Sequence, residues 1–127
     1  MTNNIDIFNK FCGDLLARLY ETFPVEKDLK ITDFEYLDNE ELSDIFFSSI
    51  KFLKREGFIN FSMAFYGGYT SVCLTAKALA LLNSVPKSLE TNETLGSQLS
   101  NVVKEGKSEV IKKVVSEIIR ASTDVFS

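Results

Sequence analysis

The chain has no histidine, and only two cysteines and two prolines among its 127 residues. Without histidine, it lacks the side chain that most often serves as general base, triad member or metal ligand near neutral pH. Cys12 and Cys73 lack the partners and spacing of a zinc site or a disulfide. Both sit among apolar neighbours and read as buried, reduced thiols. No apolar run approaches the about 20 residues that span a bilayer. The opening MTNNIDIF has neither the basic n-region nor the apolar h-region of a secretory signal, so a cytoplasmic location is expected.

A basic balance is missing too. The net charge is −4, and all of it lies in residues 1–86, which hold 8 basic against 12 acidic side chains; the rest of the chain is balanced at 6 against 6. Phosphate neutralisation supplies most non-specific affinity for nucleic acid. That pointer is absent, although a local basic patch can sit on an acidic chain. The YGGY stretch at Tyr66–Tyr69 lacks the spacing of a phosphate loop. The acids of DNEE at 38–41 read as solvated groups at a helix start rather than a converging acid–base pair. No enzymatic activity, cofactor or metal is expected.

What is present is a core. Hydrophobic residues make up 45% of the chain, with eleven Phe and four Tyr, enough for one α+β domain of ordinary size. Ile5, Phe8, Cys12, Leu15, Leu16, Leu19 and Phe23 recur at helical spacing, which predicts a first helix capped by Asn3 or Asn4 and stopped by Pro24. LKI at 29–31 reads as a short strand and TDFEYL at 32–37 as a helical turn. A second helix is expected from Asn39 to Glu56, with Leu42, Ile45, Phe46, Ser49, Ile50 and Leu53 inward, and Gly57 ending it. Phe47 lies off that stripe.

Residues 59–74 alternate as a hairpin. A two-residue turn at Gly67-Gly68 would pair Tyr66 with Tyr69 and put Ile59, Phe61, Met63, Phe65, Thr70, Val72 and Leu74 on the core face. Thr75 is placed to cap a short helix. SVPKSLETNET reads as a linker. Two further helices, opened by Thr94 and Ser108 and divided by Gly106, form a C-terminal helical hairpin. The last carries a broad apolar face that includes Ile111, Val115 and Ile118 and extends to Val125.

This order, with LKREGFI at 53–59 and VCLTAKALALL at 72–82, resembles the winged-helix superfamily over about residues 4–86. The first phrase ends a recognition helix and enters the wing. The second closes the wing with Leu74, Thr75 and Lys77; Ala78 stands where the family often has glycine. Only TDFEYL occupies the place of the helix that usually precedes the recognition helix. The resemblance implies a winged-helix-like domain at 1–86, followed by a linker and helical extension at 87–127.

It also implies two functions. Winged helices usually lay the recognition helix in the major groove of DNA and touch backbone or minor groove with the wing. Lys51, Lys54, Arg55 and Lys77 are then the candidate nucleic-acid contacts, with dipole complement as the alternative role of the first three. The leading half of that helix is acidic, however, and the wing has no cation between Gly57 and Ala76. A regulatory or adaptor module working through protein contacts is the first expectation, a dimeric DNA-binding regulator the second. Phe47, Tyr66, Tyr69, Ile111, Val115 and Ile118 are the candidate partner contacts, including a homodimer through the C-terminal helices. Core packing and a cross-strand tyrosine pair are their structural alternatives.

Overall fold

The computed structural model describes residues 3–85 and 93–124. The bulk of the linker and Val125 therefore lie outside the described residues. The described residues are α+β, with five α-helices and a small antiparallel sheet of four strands.

Helix α1 spans Asn4–Thr22. Asn3 caps it, its Oδ1 accepting the Asp6 N–H at 2.9 Å. Strand β1, Lys27–Lys30, follows. TDFEYL falls in two 3-10 turns, Ile31–Asp33 and Glu35–Leu37, rather than one helical turn. Helix α2 spans Ser43–Arg55 and so starts later than the sequence suggests. Asn39 instead closes a turn, its Oδ1 accepting the Leu42 N–H at 2.8 Å, which leaves Glu40 and Glu41 ahead of the helix.

The hairpin comprises β2, Ile59–Asn60, β3, Met63–Phe65, and β4, Gly68–Leu74. Strand β4 is central: β1 lies on one side, and β2 and β3 pair with it too. The register corrects the sequence reading. Phe65 pairs with Gly68, Ala64 with Tyr69 and Met63 with Thr70, so Tyr66-Gly67 forms the turn. Gly67 alone takes positive φ there, at 85°. Gly68 is glycine for another reason: a Cβ there would run into the Leu29 carbonyl oxygen.

The expected core face holds for Ile59, Val72 and Leu74, which are buried, but fails toward the wing tip, and the cause is local. Ser71 has φ 56°, in the left-handed region, and its N–H donates to Asp28 Oδ1 at 3.0 Å. The β1–β4 register slips at this point. A bulge shifts which side chains face the core. Tyr69 and Val72, three apart, are therefore both buried, while Met63 and Phe65 are exposed at 67% and 38%. Tyr66 is fully exposed and does not pair with Tyr69. Ser71→Val puts a β-branched side chain where φ is positive and is expected to cost about 1–2 kcal/mol, with Ser71→Gly near neutral. Urea denaturation checks this; equal stability of Ser71→Val would refute the bulge geometry.

Helix α3, Ala76–Leu82, is capped by Thr75, whose Oγ1 accepts the Ala78 N–H at 3.1 Å. Helices α4, Leu95–Glu105, and α5, Ser108–Asp124, meet at Gly106, which takes φ 71°. Ser108 is the first residue of α5 and not its cap. Leu95, Leu99, Ile111, Val114, Val115 and Ile118 join the same hydrophobic cluster as Phe11, Leu15 and Leu16 of α1. The C-terminal helices thus complete the core of the preceding elements.

Candidate functional site

The wing tip and the start of α2 enclose a groove of about 970 Å³, lined by Ile31, Phe47, Phe65 and Tyr66, with Lys30, Asp38 and Glu40 among the polar lining. Its floor is anchored deep in the molecule. Phe47 stands edge-on to Phe46 at 5.0 Å between ring centroids and lies 6.2 Å from Tyr69. Phe46 in turn meets Phe11 at 5.4 Å. Aromatic pairs at such separations add to area burial, so Phe47 is held in place although half-exposed. The Tyr69 ring lies 4.7 Å from Phe61; it supports the groove from beneath and has no free surface for a partner.

Strand β3 leads into this groove. Among the described residues it pairs only with β4, and all three of its residues are exposed. Phe65 ends the strand and lines the groove. The opposite edge of the sheet, β1, carries Lys27, Asp28 and Lys30 on exposed positions. Charges of that kind block edge-to-edge pairing; β3 has none.

The candidate nucleic-acid contacts gather at the far end of α2. Lys51, Lys54 and Arg55 are exposed on its trailing half. Lys54 Nζ sits 4.1 Å from the Phe61 ring centroid and 3.5 Å from Asn60 Oδ1. Arg55 Nε lies 3.6 Å from Glu56 Oε2. Lys77 is half-buried and donates to the Glu56 carbonyl at 2.7 Å, next to the end of α2. It also lies over the Phe58 ring at 5.2 Å. Three of the four are therefore engaged with rings, a carbonyl or a carboxylate of this chain.

No family model, curated protein or solved structure matches the chain. Its chemistry has to be read from its own residues.

Ile111, Val115 and Ile118 are buried against α1 and its neighbours. Their apolar face packs within the chain. Among the described residues, no group of three or more His, Cys, Asp and Glu is arranged to hold a metal ion, and no helix is long and apolar enough to cross a membrane. Burial pushes the Cys12 thiol far above its ordinary range, so it stays protonated and unreactive. The Tyr36 phenol is raised by burial and by Asp14, to which it donates at 3.2 Å; it is a structural hydroxyl and not an acid.

The sequence marks Phe47 by its position off the helical stripe. It does not mark Ile31, Asp38 or Glu40 as neighbours of Phe47, because they meet only through the fold of β1 and the turn before α2.

Proposed function

We propose that this chain is a non-enzymatic, winged-helix-like regulatory or adaptor module that acts through protein contacts made by its wing and the groove beside it. The element order supports the architecture: α1, β1, two 3-10 turns, α2, then a hairpin whose last strand is central. The two 3-10 turns stand where a winged helix usually has the helix before its recognition helix. The observation that carries the function is the wing itself. Met63, Phe65 and Tyr66 are exposed on a segment with no charge from Phe58 to Ala76. Exposed aromatic and Met side chains around a groove suit a protein interface. A phosphate backbone would find no cation on this wing.

The second reading, a DNA-binding regulator, is favoured by the exposure of Lys51, Lys54 and Arg55 on one helix. Duplex binding followed by fluorescence anisotropy at rising salt separates the two. The adaptor reading expects no binding at micromolar protein even at low salt. Tight binding that weakens steeply with salt would establish the regulator. In that case reversing Lys51, Lys54 and Arg55 to Glu would flatten the logarithmic salt slope by about 0.9 for each phosphate that is no longer neutralised.

A further inference from the structure

We infer that the groove between the wing tip and the start of α2 receives an extended, basic segment of a partner protein, which adds a strand to β3 and lays apolar side chains over Phe47. This deepens the adaptor reading and rests on it. Three observations converge. The first is the uncharged outer edge of β3, which among the described residues pairs only with β4; Met63 bonds to Thr70, and Ala64 is the residue whose backbone is placed to meet a further strand. The second is the continuity of that edge with the groove, since Phe65 and Tyr66 at the wing tip line it. Ile31, just past β1 on the other side of β4, and Phe47 form the apolar floor, which a segment leaving β3 reaches after it crosses the wing tip.

The third observation chooses the occupant. Asp38 and Glu40 line the groove. Neither carboxylate forms an ion pair among the described residues, and Lys30 is the single cation in the lining. The rim is therefore net negative around an apolar floor. Lys and Arg on an incoming segment complement it, whereas an acidic segment or a phosphate backbone is repelled. A second copy of this chain carries −4 of its own and brings an uncharged β3 to the interface, so it supplies nothing to the rim.

The test is selection of random short peptides displayed on phage against the full chain. Enriched peptides are then titrated against the wild type, Met63→Lys, and the double variant Asp38→Lys with Glu40→Lys. These positions are exposed, so the variants are expected to fold. The inference expects enriched peptides with net positive charge and alternating apolar residues. It expects affinity to fall by about tenfold or more on rim reversal and on placing a lysine on the strand edge. Neutral or acidic peptides that no longer bind Met63→Lys would overturn the basic occupant and leave the adaptor reading standing. Peptides indifferent to both variants would overturn this site. An empty selection overturns the inference as well, and together with salt-sensitive duplex binding it removes the adaptor reading too.

Discussion

Truncating Phe46 to alanine is expected to cost about 3–5 kcal/mol of folding stability, the range for deleting a fully buried phenylalanine. Phe46 is completely buried. Its ring lies 5.4 Å from Phe11, 6.0 Å from Phe34, 5.0 Å from Phe47 and 6.1 Å from Tyr69. It thus meets α1, the junction of the two 3-10 turns, its own helix and the central strand. No one neighbour can fill the void without releasing another, and that resistance to collapse puts the cost toward the upper part of the range. Phe46→Leu keeps most of the volume and should cost about 1–2 kcal/mol. Urea denaturation of the two variants checks the ordering.

The same variants report on the groove. Phe47 leans on Phe46, so Phe46→Ala should loosen Phe47 and weaken any ligand of the groove, even under conditions where the chain is still folded. Phe46→Leu should preserve the groove. A Phe46→Ala protein of near wild-type stability would mean that the aromatic core is not continuous from α1 to the wing.

How far the sequence carries can be seen in particular residues. The α1 stripe is legible because its apolar residues repeat at helical spacing, and burial of Cys12, Leu15, Leu16 and Leu19 follows that repeat; Ile5 is exposed, and the fully buried Phe11 stands outside the expected stripe. Thr75 and Gly106 are legible because their roles are local: one caps the helix that follows, the other ends the helix before it. The hairpin is legible as a hairpin, but its register is not. Gly67-Gly68 offers two glycines, and local turn chemistry favours using both. What decides otherwise is the carbonyl of Leu29, on a distant strand, which leaves no room for a Cβ at Gly68. The burial of Tyr69 is hidden for the same reason, since the Ser71 bulge is held by Asp28 of that strand. In the candidate site, Phe47 stands out from periodicity alone. The acidic rim and the unpaired edge depend on which strand lies at the border of the sheet, and spacing in one strand does not encode that.

The C-terminal helices pose the sharpest choice the sequence leaves open, between a dimer surface and internal packing, and Gly13 decides it. Glycine in the middle of a helix costs about 0.5–1 kcal/mol relative to alanine. On a helix face open to solvent, Gly13→Ala should therefore stabilise. Here a Cβ at Gly13 would lie 2.6 Å from Ile111 Cγ2, 3.3 Å from Val115 Cγ2 and 3.5 Å from Leu99 Cδ1. The two nearest atoms are methyl groups on the Cβ of β-branched side chains, which have one strongly preferred rotamer in a helix. They cannot swing away, so α5 itself has to move. Overpacking of this kind costs about 1–3 kcal/mol. Gly13→Ala should end near a net loss of about 1 kcal/mol after its gain in helix propensity. Gly13→Val, with more volume and a smaller such gain, should lose about 3 kcal/mol. Faster amide exchange in α4 and α5 than in the sheet would locate the damage. Ile111→Ala is costly in the wild type, but in the Gly13→Ala background it should cost less, because it removes the clash; the cycle should give a coupling of about 0.5–3 kcal/mol. A stabilised Gly13→Ala would place α5 elsewhere and return Ile111, Val115 and Ile118 to the set of partner contacts. A destabilised one fixes them as the interior of this chain and takes them out of the set of candidate partner contacts.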